Sequence, residues 1–187
     1  MIVFNRCDWC GEDPLYMKYH DEEWGTPVHD DNTHFEFLVL ESAQSGLSWI
    51  TVLRKRENYR KAYDGFDPAK VAAYGEDRIA ELLANPGIIR NRRKIESSVQ
   101  NAKRFLEVQQ EFGSFDTYIW AFVENRPIVG NYENIAQIPA STELSMRISR
   151  DLKARGFCFL GPVIIYSYLQ ATGIVDDHIN ACFRKRG

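Results

Sequence analysis

The chain contains 187 residues, of which 44% are hydrophobic and 26% charged, and its 23 basic and 26 acidic side chains give a net charge of −3. This composition excludes a disordered tail and a collagen-like fibre, and the length can bury a core without disulfide staples. Because no apolar run approaches ~20 residues and no signal-peptide pattern opens the sequence, we expect a cytoplasmic protein without a membrane partner. Four cysteines are too few for a disulfide scaffold, which favours metal binding.

Charge is distributed unevenly along the chain. The first 35 residues hold 8 acidic and 2 basic side chains, whereas three basic clusters lie further on. These clusters are Arg54, Lys55, Arg56, Arg60 and Lys61; Arg90, Arg92, Arg93 and Lys94; and Arg147, Arg150, Lys153 and Arg155. Phosphate binding requires a basic face rather than a basic protein. Each cluster alone is equally consistent with a solvated helix face.

Capping residues and apolar periodicity predict helices through most of the sequence. In chain order, the first predicted helix begins at Asp30–Asn32 and ends before Gly46. The second runs from Ser48 to Tyr63, and the third begins at Asp67-Pro68 and ends at Gly75. Further helices are predicted over Arg78–Ala84, Asn91–Phe112, Phe115–Val123, Ser141–Gly156 and Val163–Ala171. Gly173 is the predicted C-cap of the last one, and no alternating pair of strands is found. The sequence predicts an all-α fold with one domain over residues 1–187, which two helical lobes could make up.

Cysteine and histidine residues near the two ends form a candidate metal site. Cys7 and His20 are separated by 12 residues, and His178 and Cys182 lie at i and i+4, on one face if the segment is helical. Two cysteines and two histidines suit a structural Zn²⁺ that joins the terminal segments. Cys10 forms a Cys-x-x-Cys spacing with Cys7, so the choice of ligands stays open at this point.

The segment Arg155–Gln170 resembles a helix-hairpin-helix element, because a helix end, a short loop containing Gly161 and a new helix follow one another. Glycine permits close approach of the backbone, and free N–H groups at the second helix suit a phosphate. Lys153 and Arg155 add basic side chains nearby. The usual second glycine of the loop is absent, and an ordinary helical hairpin is the alternative.

Glu41 lies within an apolar helical stretch, and Trp49 follows eight residues later. Aromatic residues are also dense near the N-terminus, at Trp9, Tyr16, Tyr19 and Trp24. Aromatic faces and one carboxylate suit a flat cationic ring, since the faces attract cations and the carboxylate accepts from ring N–H groups. The alternative is that these rings are core and Glu41 is a surface residue.

Taken together, these segments resemble the 3-methyladenine DNA glycosylase I family over about residues 6–183. The resemblance is carried, in order, by Arg6-Cys7-x-Trp9, Asp13-Pro14-Leu15-Tyr16, Tyr19-His20-Asp21, Glu23-Trp24-Gly25, Leu40–Leu53, Gly87–Arg92, Arg155–Gln170 and Asp177-His178-x-x-x-Cys182. It implies a helix-hairpin-helix glycosylase, acting as a monomer in the bacterial cytosol and nucleoid, that flips 3-methyladenine out of alkylated double-stranded DNA and hydrolyses its glycosidic bond without a lyase step.

The family pattern implies a role for particular positions. The Zn²⁺ ligands of the family correspond to Cys7, His20, His178 and Cys182. The base pocket falls on Glu41, Tyr19 and Trp49 with Tyr16, Trp9 and Trp24 nearby, and Glu41 is also the catalytic candidate. The DNA-binding positions of the family correspond to Gly161, Lys153 and Arg155 and to Gly46 and Leu47. Gly46 and Leu47 form the wedge, which fills the gap that the flipped base leaves in the stack. Asp176 departs from the pattern, since asparagine is common there.

Two other function classes fit parts of the sequence. A non-catalytic, zinc-stapled DNA-binding module would keep the hairpin and the basic clusters but make the aromatic residues mere core. A zinc hydrolase or deaminase would need an open metal with three protein ligands and a Pro-Cys-x-x-Cys half-site, which this sequence lacks.

Overall fold

A computed structural model describes residues 5–186. Within that range the chain is mostly helical with almost no sheet, as predicted. The helices are α1 (Pro14–Glu22), α2 (Asp31–Gln44), α3 (Trp49–Leu53), α4 (Arg56–Ala62), α5 (Pro68–Ala72), α6 (Glu76–Ala84), α7 (Arg92–Phe112), α8 (Phe115–Ala121), α9 (Glu143–Ala154) and α10 (Pro162–Ala171). No helix among these residues combines the length and apolar character needed to cross a bilayer.

Several helix starts confirm the capping predictions. The Asp30 carboxylate accepts from Thr33 N at 2.8 Å at the start of α2, and the Asn91 side chain accepts from Lys94 N at the start of α7. Asp67 caps α5, with Pro68 at its first position. Side-chain acceptors and proline suit a helix N-terminus because its first N–H groups have no partner within the helix.

Other elements differ from the prediction. Helix α1 was not predicted, and the expected helix over 48–63 is divided into α3 and α4. The start of α9 is capped by Thr142 rather than Ser141, because Thr142 forms a reciprocal capping box with Ser145. A two-residue parallel pair, β1 (Ile128–Val129) and β2 (Val175–Asp176), also occurs where no strands were expected.

The core gathers around α7, whose Phe105 is fully buried. Phe105 stacks on Phe115 of α8 with ring centroids 4.3 Å apart and meets Phe35 of α2 edge-on at 5.3 Å. This packing fixes α2, which carries Glu41, against the central helix. The assignment of residues 1–187 to a single domain stays a prediction.

The terminal segments meet, as the cysteine and histidine positions indicated. Asn5 accepts from Phe183 N at 2.9 Å through its backbone carbonyl, and its side-chain amide donates to Ala181 O at 2.8 Å. The prediction that His178 and Cys182 share a helix face is wrong, because the chain after β2 runs through turns. Tertiary contacts with the N-terminal segment, rather than helical spacing, place this segment.

Candidate functional site

An open cavity of about 270 Å³ contains all six residues expected to bind a base. They are Trp9, Tyr16, Tyr19, Trp24, Glu41 and Trp49. Five further lining residues were not predicted: Gln44, Ile135, Ile138, Ser167 and Gln170. The predicted group therefore forms one concave surface instead of a filled core.

Helix α1 supplies two of the rings and one histidine. Asp13 caps this helix by accepting from the N–H groups of Leu15 and Tyr16. Tyr16 and Tyr19 are three residues apart on one face and turn toward the cavity. The Asp-Pro start of α1 repeats the signal that correctly predicted α5.

The cavity walls are rings in edge and tilted contact. The ring centroids of Trp9 lie 5.0 Å from Tyr16 and 4.9 Å from Trp24, and Tyr19 lies 5.4 Å from Trp49. The indole N–H groups of Trp9 and Trp49 are buried and have no hydrogen-bond partner among the described residues. Buried donors without partners are uncommon in folded proteins, so these two N–H groups are unsatisfied hydrogen-bond donors in the residues that line the cavity.

Glu41 is 3% exposed and lines this cavity from α2. Its carboxylate forms no hydrogen bond or ion pair within residues 5–186, and burial alone raises its pKa to about 8. An isolated buried carboxylate is costly when ionised, because the apolar surroundings replace water without supplying donors. A cation with N–H donors placed in the cavity would supply both missing interactions.

Gln170 of α10 also lines the cavity. Its Nε2 donates to the Asp177 carboxylate at 2.8 Å, and the same carboxylate accepts from the Tyr166 hydroxyl. Because a carboxylate offers only acceptors, the amide must turn its NH₂ group toward Asp177. This leaves the side-chain carbonyl oxygen of Gln170 as an acceptor that Asp177 does not use.

The predicted wedge lies next to this cavity. Gly46 has φ +79°, which favours glycine, and the following Leu47 is 40% exposed. Gly46, Leu47 and Gly161 line a second cavity of about 360 Å³, and Ser167 lines both cavities. The turn after α2, the start of α10 and the aromatic cavity therefore form one continuous surface.

The hairpin from α9 to α10 is held by Asn101 of α7. Its side chain accepts from Cys158 N and donates to Cys158 O, both at 2.9 Å. Helix α10 begins at Gly161 without a side-chain cap. This pair of hydrogen bonds fixes the loop that presents the uncapped end of α10.

The two predicted basic side chains of the hairpin differ. Lys153 is exposed. Arg155 is bound to Glu111 at 2.7 Å and to Asp151 at 2.8 Å, and it lies over the ring of Phe112. Contact of Arg155 with DNA stays a prediction that requires these ion pairs to open, whereas Lys153 is available.

Three of the four predicted metal ligands form the cysteine–histidine cluster, Cys7, His20 and Cys182. Their ligand atoms all lie within 4.8 Å of one another, and all three residues are buried. His178 lies beside the cluster, with its ring centroid 5.1 Å from that of His20. Its Nε2 is buried and has no hydrogen-bond partner among the described residues.

Carboxylates orient both histidines. His20 Nδ1 lies 2.8 Å from Asp21 Oδ1, and His178 Nδ1 lies 2.7 Å from Asp176 Oδ1. A carboxylate that accepts from Nδ1–H fixes the tautomer in which Nε2 is unprotonated and carries a lone pair. This is the usual arrangement around a metal-binding histidine. The orphaned Nε2 of His178 and the His20 Nε2 that faces Cys182 Sγ at 3.5 Å fit a soft tetrahedral cation.

Neighbouring residues show how closely the cluster is built. A Cβ on Gly25 would lie 2.6 Å from the His178 ring, so only glycine permits that ring position. Cys10 Sγ contacts the carbonyl of Cys7 at 3.2 Å and is not part of the group. The geometry thus favours Cys7 over Cys10 as the ligand from this segment.

Comparisons with known proteins place the whole chain in relation to one family. The family model described as methyladenine glycosylase matches residues 9–185. The chain is 47% identical to DNA-3-methyladenine glycosylase 1 of Escherichia coli (strain K12) over 177 residues, which is 95% of each chain. It also matches a crystal structure of 3-methyladenine DNA glycosylase I with a TM-score of 0.95 and 47% identity, over 97% of this chain and 100% of the other.

A third match is the structure that describes 3-methyladenine recognition by the Staphylococcus aureus 3-methyladenine DNA glycosylase I. It has a TM-score of 0.94 and 38% identity, covering 100% of this chain and 99% of that one. The family model covers the residues that line the aromatic cavity and, in the cysteine–histidine cluster, His20 and Cys182. The chain belongs to the methyladenine glycosylase family.

Proposed function

We propose that this enzyme excises 3-methyladenine from alkylated double-stranded DNA by hydrolysis of the N-glycosidic bond, without a lyase step. The observation that carries the proposal is the unpaired carboxylate of Glu41 inside an open, ring-lined cavity. Relatives named for this activity and a relative described in terms of 3-methyladenine recognition support the choice of base.

Recognition rests on charge. Methylation at N3 makes adenine cationic in DNA, so the flipped base brings to Glu41 both a positive charge and N–H donors. At pH 7 the ionisation of a carboxyl group with a pKa of about 8 costs about 1.4 kcal/mol, which the cation offsets through attraction in a low dielectric. Neutral adenine offers donors but no charge, so the same pocket selects against it.

The rings complete recognition. Tyr19 and Trp49 stack on the base, while Trp9, Tyr16 and Trp24 close the wall around it. Base–aromatic stacking contributes about 1–3 kcal/mol per base. The acceptor oxygen of Gln170 adds to an acceptor-rich wall that suits the exocyclic amino group of adenine.

The chemical step is a displacement at the sugar. The bond from C1′ to N9 breaks with both electrons passing to the base, which becomes neutral, and a water oxygen bonds to C1′ and loses its proton. Because the base already carries the positive charge, it leaves readily and needs less assistance than an undamaged base. As the bond breaks, the positive charge moves to the sugar and stays near Glu41, so the carboxylate contributes to selection and to the step. Among the described residues, no lysine lines the aromatic cavity.

Extrusion of the base leaves a gap in the stack that Leu47 fills, and Gly46 provides the turn. Extrusion costs a few kcal/mol, and least for a lesion. The uncapped N-terminus of α10 after Gly161 and the exposed Lys153 bind phosphates on the same surface. A non-catalytic DNA-binding module would use the hairpin and the basic side chains but would not need the aromatic cavity.

The metal of this proposal is Zn²⁺ held by Cys7, His20, His178 and Cys182. When bound, the ion supplies no reaction chemistry but joins the N-terminal segment to the chain after β2. Trp9 and Trp24 contact the histidines of this region at ring-centroid distances of 5.3 Å and 4.5 Å, respectively. The cluster therefore supports the wall of the aromatic cavity.

The test is release of free bases from double-stranded DNA treated with a methylating agent, separated by chromatography. We expect wild-type protein to release 3-methyladenine and Glu41→Gln to be about 10- to 100-fold slower, since a charged hydrogen bond is worth about 1.5–3 kcal/mol. Glu107→Gln on the exposed side of α7 is the matched control and should keep the wild-type rate.

The same samples test the absence of a lyase step. We expect intact strands that break only after alkali is added. Strand breaks without alkali would contradict hydrolysis by water alone, and wild-type rates for Glu41→Gln would contradict the role of that carboxylate.

A further inference from the structure

Lys94 makes contacts that neither the aromatic cavity nor the cysteine–histidine cluster explains. It lies in the first turn of α7, next to Arg93, yet it forms no ion pair among the described residues. Its Nζ instead donates to two backbone carbonyls, Ala43 O at 2.8 Å and Ser45 O at 2.6 Å. Partial burial lowers the pKa of Lys94, so its position costs free energy that these bonds offset.

Both carbonyls belong to the C-terminal end of α2. The last carbonyls of a helix have no N–H partner in the following turn, and this end of the helix carries partial negative charge. An ammonium group that accepts no bonds and donates three suits such a site. Lys94 therefore caps α2 from a different helix and fixes where α2 ends.

The turn that begins at this end is the predicted wedge. Ser45 is followed by Gly46 with φ +79° and by Leu47, which is 40% exposed. A Cβ on Gly46 would meet no atom within 4 Å, so the space beside this residue is open. Besides the Leu47 N to Gln44 O bond of 2.6 Å within the turn, the two bonds from Lys94 tie this end of α2 to the rest of the molecule.

We propose that Lys94 is a positioning residue that holds the Gly46-Leu47 turn at the height and angle needed to enter the DNA stack. The inference rests on the proposed function, in which Leu47 fills the gap left by the flipped base. Lys94 itself does not line the aromatic cavity. Its effect should therefore appear in extrusion from a duplex and not in binding of a free base.

The experiment compares Lys94→Met, Leu47→Ala and the double variant in two assays. These are excision of 3-methyladenine from methylated duplex DNA and binding of free 3-methyladenine by fluorescence of the cavity tryptophans. We expect each single variant to slow excision about 10-fold while free-base affinity changes less than about 2-fold. Both substitutions remove the same function, insertion of Leu47 into the stack. The double variant should therefore excise the base at about the rate of the slower single variant.

Matched variants keep the test independent of folding. Lys94→Arg retains the charge and the donors and should restore most of the excision rate, and thermal unfolding should show that each variant is folded. Lys103→Met removes an exposed lysine from the same helix and should behave as wild type. If Lys94→Met does not fold, the comparison uses Lys94→Gln, which keeps an amide donor on a shorter side chain.

The outcomes separate this proposal from the proposed function. Multiplying losses in the double variant, equal loss of free-base affinity, or a wild-type rate for Lys94→Met would each overturn the role of Lys94. A wild-type rate for Leu47→Ala would also overturn it, because there would be no wedge to position. Failure of the wild-type protein to release 3-methyladenine would instead overturn the glycosylase proposal itself.

Discussion

The aromatic cavity and the cysteine–histidine cluster share one wall, but their buried polar groups differ in whether they have hydrogen-bond partners. Tyr19 and His20 are consecutive on α1, and they turn toward the cavity and the cluster, respectively. In the cluster, carboxylates fix the Nδ1 atoms of both histidines. In the cavity, the Glu41 carboxylate has no hydrogen-bond or ion-pair partner within residues 5–186.

This difference separates a permanent site from an exchangeable one. The cluster brings several donors together with their supporting hydrogen bonds, so a cation held there would be enclosed and retained. The cavity offers one uncompensated carboxylate and an opening to solvent, so a cation can enter and leave. Each region holds an acceptor without a partner among the described residues, the Glu41 carboxylate in one and His178 Nε2 in the other, and the surroundings determine whether a cationic base or a metal ion fits there.

The largest effect should follow from breaking the cluster. We expect Cys182→Ser to lose zinc and to unfold under conditions where the wild type is stable, because a structural zinc contributes free energy comparable with total folding stability. Metal content and thermal unfolding by circular dichroism measure both. Cys10→Ser is the control, since its sulfur lies outside the group, and it should retain metal and melting temperature. Equal unfolding temperatures for both variants would refute the proposed staple.

The cavity should respond to mutation in the opposite direction. The pKa of Glu41 in the folded chain is about 8, against 4.5 as its ordinary value, so the folded state keeps a proton that the unfolded state has lost. Stability must therefore fall as pH rises from 4.5 to about 8, and Glu41→Gln removes this loss.

We expect urea unfolding to show that Glu41→Gln gains on the order of 3 kcal/mol relative to wild type between pH 5 and pH 8. Glu107→Gln should show no such pH dependence. A constant difference between Glu41→Gln and wild type would mean that the carboxylate is solvated in the folded protein.

Stacking should have a smaller effect on the same cavity. Trp49→Leu removes a ring that lies 5.4 Å from Tyr19, and we expect about a 10-fold loss of affinity for free 3-methyladenine. Trp49→Phe, which keeps an aromatic face, should lose less. Isothermal calorimetry provides the measurement, and equal losses for the two variants would argue against stacking at this position.

The smallest effect is expected at the shared wall. Trp9→Phe keeps a ring between Tyr16 and His20 and removes an indole N–H that has no partner among the described residues. Unfolding stability should change by less than about 1 kcal/mol. A change in both metal content and free-base affinity would show that the two regions are coupled through Trp9.

Sequence reasoning predicted helices with a clear local signal. Asp30, Asp67-Pro68 and Asn91 each cap a helix where expected, because an N-terminal cap depends on a few neighbouring residues. Helix α1 carried the same signal at Asp13-Pro14 and was overlooked. The sequence predicted Ser141 as the cap of α9, whereas Thr142 caps it through the reciprocal bond with Ser145.

The sites depended on long-range packing that no local pattern records. The cavity rings and Glu41 were predicted as a group, but Ser167 and Gln170 belong to α10, more than 100 residues after Glu41 in the chain. His178 and Cys182 were predicted to share a helix face, and the chain instead turns between them. Lys94 was assigned only to a basic cluster, since its carbonyl partners are about 50 residues away.

The most direct test of the central claim is the pKa of Glu41, measured by carbon-13 NMR of its side-chain carboxyl group with and without a saturating cationic N-methylated adenine. The account predicts a value near 8 in the empty protein and a value well below 7 in the complex, as the bound cation stabilises the carboxylate. A value near 4.5 in the empty protein that does not change on binding would contradict it.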